Sequence, residues 1–253
     1  MYTMYIIGTA GSGKSLLTST FVDWLRTKKL TVISVNLDPG VITLPYTPDV
    51  DVRDYVSIEE IIRKYGLGPN GSIIMAADLI AIQIDQLRSE IESHNADYVV
   101  VDTPGQMELF AFRASGPYIA EELCDDPKAI VYLFDASFSS NPLNYVSNMF
   151  LAVAVHTRFL LPQVYALSKV DLLPIDRVEA ILEWGSDTEN LDMVIDAELK
   201  GNRRLLSLGI ERLIKQTLNL GFNLIPISAM TLDGFVQLES ALTRVFSGGE
   251  VEN

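Results

Sequence analysis

The chain has 253 residues and a formal net charge of −14, which argues against a broad contact with nucleic-acid phosphates or with an anionic membrane surface. A single cysteine, Cys124, excludes an intrachain disulfide and points to a reducing compartment, so a cytoplasmic protein is expected. The length suits one α/β domain, or one with an insertion; the most apolar helix-like run, Met149 to Leu161, is broken by His156 and Arg158 and is too short to cross a bilayer.

The chain enters a strand at once, and no basic leader or cleavage site is expected ahead of it. Met4-Tyr5-Ile6-Ile7 reads as a buried strand. It runs into Gly8-Thr9-Ala10-Gly11-Ser12-Gly13-Lys14-Ser15, after which Leu16, Leu17, Phe21, Val22 and Leu25 fall on one helical face. Strand, glycine loop and helix in this order make a P-loop. Such a loop turns backbone N–H groups around phosphate oxygens, and the helix behind it points its positive end at the anion. Gly11, Ser12, Gly13, Lys14, Ser15 and Leu16 are the candidate nucleotide-binding residues. Lys14 would lie along the β and γ phosphates, and the Ser15 hydroxyl would bind Mg²⁺.

Thr31 to Leu37 is a second buried strand, ending at Asp38-Pro39-Gly40. Open α/β sheets bind ligands at the carboxyl ends of their strands, so Asp38 belongs near the mouth of the P-loop. Leu44 to Tyr55, with Asp49, Asp51, Asp54 and two prolines, reads as a loop of solvated charges. Ser57 opens a short helix to Tyr65 with capping-box spacing to Glu60. Gly66-Leu67-Gly68-Pro69-Asn70-Gly71 is turn chemistry taken alone. One long helix is expected from Ser72 to Ser93, with Ile73, Ile74, Ala77, Ile80, Ile84, Leu87 and Ile91 inward.

Tyr98 to Val101 is a third strand, and it ends in Asp102-Thr103-Pro104-Gly105. Behind a P-loop this pattern supplies a carboxylate to the Mg²⁺ shell, Asp102, and a glycine N–H to the γ-phosphate, Gly105. Gln106 follows, where an amide can orient an attacking water; Glu108 and Asp38 are the other candidates for that water. Ala129 to Phe134 is the fourth strand, ending at Asp135. A helix from Pro142 to Phe159 leads to the fifth, Gln163 to Leu167, which ends in Ser168-Lys169-Val170-Asp171. The last strand, Asn223 to Ile227, ends in Ser228-Ala229-Met230.

These two strand ends lie where a base would sit. An Asp171 carboxylate can accept from both N1–H and the exocyclic amine of guanine, and adenine offers neither donor. Lys169 would lie over the base plane, and the Ala229 N–H would meet O6 beside Ser228. Between the last two strands, helices are expected over Ile175 to Trp184, Leu191 to Leu199 and Arg203 to Leu220, which exceeds one crossover. The final helix reads from Leu232 to Phe246, with a frayed Ser247–Asn253 tail. His94 and His156 stand in no metal or catalytic spacing. The fold class is therefore an α/β P-loop sandwich in three layers. It has a mostly or wholly parallel sheet, helices on both faces and a helical insertion near residues 175–220 of the one domain.

In order and spacing, Gly8 to Ser15, Asn36-Leu37-Asp38-Pro39-Gly40, the Asp49 to Asp54 loop, Gly68-Pro69-Asn70, Asp102 to Glu108 and the base motifs resemble the GPN-loop GTPases over nearly the whole chain. The resemblance implies a homodimeric GTPase with an all-parallel core sheet, GTP and GDP as ligands and Mg²⁺ as cofactor. It also implies that the Gly-Pro-Asn loop of one subunit enters the nucleotide site of the other. Asn70 is then a candidate catalytic residue and not a turn residue. The family's base motif usually begins Asn-Lys, and here Ser168 stands in place of the asparagine. The family also suggests a client such as RNA polymerase or its assembly factors. Two other functions fit: a GTP-dependent assembly scaffold with slow turnover, and a P-loop small-molecule kinase, for which no arginine-rich substrate lid is evident.

Overall fold

The computed structural model of the chain describes residues 1–125, 127–186, 188–198 and 222–248. Its strands are β1 (Tyr2–Gly8), β2 (Val32–Asn36), β3 (Val50–Asp51), β4 (Tyr98–Asp102), β5 (Lys128–Asp135), β6 (Gln163–Ser168) and β7 (Leu224–Pro226). They form one sheet in the order β3-β2-β4-β1-β5-β6-β7, and every pairing is parallel. The sheet is buried on both faces, which is why its inner strands read as unbroken apolar runs.

Side chains alternate along each strand, so β1 divides its residues between two cores. Met4 and Ile6 pack with Leu17, Phe21 and Leu25 of α1 (Lys14–Thr27) on one face. Tyr5 and Ile7 pack on the other. That second face is covered by α2 (Ile58–Tyr65), α3 (Pro69–Ile82), α4 (Ile84–Ser93), α5 (Met107–Ala111), α6 (Ser115–Glu122), α8 (Pro142–Phe159), α9 (Ile175–Ser186) and α10 (Thr188–Glu198). The short α7 (Ala136–Ser139) follows β5, and α11 (Phe235–Phe246) joins α1 on the first face. This is the three-layer sandwich expected. With β1 between β4 and β5, the loop after β1 emerges at mid-sheet, and the ends of β2, β4 and β6 open beside it.

Several elements differ from the sequence reading. The acidic loop supplies β3; Asp49 and Asp54 are exposed, but Asp49 and Asp51 also hold specific partners. Asp49 accepts from the Ser34 N–H and hydroxyl at 2.7 and 2.8 Å and from Arg26 Nη2 at 2.9 Å. Asp51 accepts from Asn36 Nδ2 at 2.9 Å and from Arg53 Nη2 at 2.6 Å. Ser57 does cap α2, accepting from the Glu60 N–H at 3.3 Å.

The helix expected from Ser72 to Ser93 begins earlier and is two helices. Gly68 is its N-cap and Pro69 its first residue, where a missing N–H costs nothing. The break falls at Gln83, whose N–H is shared between the carbonyls of Leu79 and Ile80. The last helix starts at Phe235 and not at Leu232, because Leu232 and Gly234 both have positive φ. Of the segment between β6 and β7, the expected Arg203–Leu220 helix lies outside the described residues.

Candidate active site

The P-loop wraps around its own lysine. Gly11 and Gly13 have φ of 77° and 95°, angles that L side chains adopt only with strain. Gly13 is the N-cap of α1, with no side-chain cap, so the first N–H groups of α1 remain open toward an anion. Lys14 is buried, and its Nζ donates to the carbonyls of Gly8 and Thr9, each at 3.0 Å. Burial lowers its pKa, while Asp102, Asp38 and Glu108 push it up. Three of the acidic residues expected at the site thus act on one ammonium group.

Asp102 ends β4 in register with Ile6 and Asn36, and it is 1% exposed. Burial is the largest influence on it and raises its pKa to about 6, against the lowering effects of the Ser15 and Tyr46 hydroxyls and Lys14. Its Oδ2 accepts from the Tyr46 hydroxyl at 3.1 Å, and its Oδ1 is buried with no hydrogen-bond partner. A buried, unpartnered carboxylate oxygen beside a P-loop serine fits a hard divalent cation. Among the described residues no group of three or more His, Cys, Asp or Glu can hold a metal unaided.

Asp38 follows β2 and bridges two loops. Its Oδ1 accepts from the Gly40 N–H at 2.9 Å and its Oδ2 from the Gly105 N–H at 3.0 Å. The Gly105 amide expected to meet a phosphate is therefore held by Asp38 in this structure. Gln106 is the N-cap position of α5 and Glu108 lies exposed in its first turn. The Thr103 hydroxyl donates to the Ile6 carbonyl at 2.7 Å, which ties the start of this segment to β1.

On the far side of the P-loop a cavity of about 200 Å³ is lined by Gly13, Leu16, Lys169, Asp171, Ala229 and Met230, among others. Its apolar floor and single carboxylate suit a flat heterocycle. Ser228 is buried, and its hydroxyl accepts from the Met230 and Thr231 N–H groups at 3.2 and 3.1 Å, so it shapes the turn that carries Ala229. Lys169 sits in the left-handed region with φ 61°. Its Nζ donates to the Gly11 carbonyl and to Asp135 Oδ2, the latter at 2.7 Å. Ser168 is buried, and its hydroxyl lies 2.8 Å from the Ser12 carbonyl and 3.2 Å from that of Phe134. Its one proton therefore stays within the protein, tying β6 to its neighbours, although the residue also lines the cavity.

The Gly68-Pro69-Asn70 segment is the exposed first turn of α3, not a free loop. Gly68 has φ −74° and Gly71 is helical, so neither needs glycine for its backbone angle. Asn70 makes no side-chain hydrogen bond among the described residues. One turn further, Ile73 lies against Gly40. Ile73, Ala77 and Ile80 share an apolar seam with Leu37, Pro39, Pro104 and Phe110. The helix that begins with Gly-Pro-Asn thus packs on both segments that flank the phosphate site. Tyr46 carries no signal in the sequence, and Asp135 is marked there only as a strand end; their partners lie 56 and 34 residues away.

A family model described as a conserved hypothetical ATP-binding protein matches residues 6–247. GPN-loop GTPase 1 of Dictyostelium discoideum is 34% identical over 89% of this chain and 58% of its own. The GPN-loop GTPase QQT2 of Arabidopsis thaliana is 36% identical over 91% of this chain and 61% of its own. The chain spans about three-fifths of the length of these two relatives. A GPN-loop GTPase of Pyrococcus abyssi is 35% identical over 92% of this chain and 93% of its own. The crystal structure of a Pyrococcus abyssi GTPase in its apo form superposes with a TM-score of 0.85 at 32% identity, covering 97% of each chain.

Proposed function

The chain belongs to the GPN-loop GTPase family, and on that premise we propose that it binds GTP with Mg²⁺ and hydrolyses it to GDP and phosphate as a cytoplasmic homodimer. The observation that carries this reading is the buried, unpartnered Asp102 Oδ1 beside Ser15 and Lys14. Ser15 and Asp102 would hold the metal, and Mg²⁺ bound there would supply charge neutralisation on the β and γ phosphates. Lys14 leaves its two loop carbonyls for the phosphate oxygens, an exchange of neutral acceptors for charged ones. The N–H groups at the start of α1 take the remaining oxygens. Gln106, Glu108 and Asp38 are the groups that orient or deprotonate the attacking water, with Gln106 first.

Base selection rests on Asp171 in the cavity that Leu16, Lys169 and Ala229 also line. The family model's description names ATP, and its relatives are named for GTP. A carboxylate at the base edge favours guanine, which has two donors to give it. Ser168 donates its proton within the protein and is shorter than asparagine, so it weakens the base contact and leaves Lys169 and Asp171 in place.

Asn70 is assigned to the partner's site. It is exposed and without a described partner, and α3 behind it touches both phosphate-side segments. A two-fold axis completes both sites together. The amide would donate to a γ-phosphate oxygen with no charge of its own. The test is mixing a Lys14→Ala protein with an Asn70→Ala protein, each inactive alone, under conditions of subunit exchange. Each mixed dimer has one intact P-loop facing one intact Asn70. Random exchange of equal amounts then restores roughly a quarter of the unsubstituted turnover. Heterodimers that form and stay inactive refute action in trans. The helices after β6 are proposed as the docking surface for a client, RNA polymerase or its assembly factors by the family's example. Capture that depends on GTP loading tests this.

A further inference from the structure

The segment between β2 and β3 crosses the phosphate end of the sheet and is pinned on both sides of Tyr46. Before it, Arg53 Nη1 donates to the Val41 carbonyl at 3.2 Å. After it, Asp49 is held by Ser34 and Arg26. The Arg53 guanidinium is in turn held by Asp51, whose Oδ2 lies 3.0 Å from Nε and 2.6 Å from Nη2. Between these anchors the Tyr46 phenol donates to Asp102 Oδ2 at 3.1 Å.

A carboxylate turns about its last side-chain bond in a broad torsional well. Its two oxygens are equivalent, so what its neighbours Tyr46, Ser15 and Lys14 set is the plane in which the group is held. The Tyr46 hydroxyl engages Oδ2, and the oxygen left unpartnered and fully buried is Oδ1. We infer that Tyr46 is a positioning residue for the metal site: its hydroxyl fixes the Asp102 carboxylate so that Oδ1 is kept for the cation and its water. This rests on the reading of Ser15 and Asp102 as the Mg²⁺ site. Tyr46 touches neither nucleotide nor metal in this assignment and acts only through Asp102. The carboxylates at 49 and 51 then matter because they hold the loop that delivers the phenol.

The experiment is a Mg²⁺ titration of the full-length protein carrying a fluorescent GDP analogue, with nucleotide retention as the readout. Tyr46→Phe keeps the ring and removes the donor. It is expected to raise the Mg²⁺ concentration at half-maximal retention by about 10-fold or more, the usual effect of losing a partner that orients a metal-binding group. Its affinity for the same nucleotide in EDTA stays at the unsubstituted value, while its melting temperature falls modestly because the buried Asp102 carboxylate loses a hydrogen bond. A purely structural role would weaken nucleotide affinity in EDTA together with the Mg²⁺ midpoint, and that result overturns the inference. An unchanged midpoint in Tyr46→Phe, with Mg²⁺ still tightening the unsubstituted complex, overturns it alone. A lack of any Mg²⁺ effect on the unsubstituted protein overturns the metal site as well.

Discussion

Replacing Asp102 by asparagine should stabilise the nucleotide-free, metal-free protein above pH 7. The folded carboxyl holds its proton up to about pH 6, against an ordinary value of 3.8, chiefly because it is buried. Between those values the folded chain binds more protons than the unfolded one. Stability therefore falls as pH rises through that window and stays low above it. A displacement of about 2 pH units corresponds to about 3 kcal/mol above pH 7, of which about 1 kcal/mol is already felt at pH 4.5. Asparagine has no charge to bury and can still accept from the Tyr46 hydroxyl. In urea titrations with EDTA present, the advantage of Asp102→Asn over the unsubstituted protein should grow by about 2 kcal/mol between pH 4.5 and 7.5. With a slope of about 2–3 kcal/mol/M, that moves the midpoint difference by roughly 0.7–1 M. With Mg²⁺ and GTP the order should reverse, since the charge then has a cation to meet. An advantage that does not change with pH would refute the claim that burial of this charge is the cause.

Asp171→Asn should weaken GTP binding by about 10- to 100-fold, the loss expected when charge-assisted hydrogen bonds go, and leave ATP binding nearly unchanged; competition of both nucleotides against one fluorescent ligand measures this. Gln106→Ala should lower kcat by about 100-fold with little change in GTP affinity, and single-turnover hydrolysis with a parallel binding titration separates the two. Full kcat in that variant would transfer the water to Glu108 or Asp38.

The parts of the site that were legible in the sequence are those whose chemistry is local. The glycines of the P-loop, Lys14, Ser15 and the Asp102-to-Gly105 segment follow one another along the chain, and strand ends are where a parallel sheet leaves its loops open. The start of α3 was misread because Gly-Pro-Asn satisfies two rules. Proline after glycine suits a turn, and proline also suits the first residue of a helix. The sequence around Gln83 carries no glycine or proline to mark the break between α3 and α4. The partners of Asp49 and Asp51 on β2, Ser34 and Asn36, were not legible because only the pairing of β2 with β3 brings them close. Tyr46 was invisible for the same reason: its one informative contact crosses from that loop to the end of β4. Ser168 was legible as a departure from the family motif, but its bond to the P-loop carbonyl was not.

Asp38 deserves a different description from that of a candidate for the catalytic water. Its carboxylate takes the amides of Gly40 and Gly105 together. It keeps the place that a terminal phosphate would claim at Gly105. Arrival of GTP would then exchange one anion for another on the same amide, with no buried N–H left bare on either side. Such an exchange has a small net free energy, so the difference between the two states is set by what else moves with Asp38. Gly40 rests on Ile73, and Ile73 stands one turn from Asn70. The occupant of a single backbone amide would thereby bear on the first turn of α3 through one aliphatic side chain.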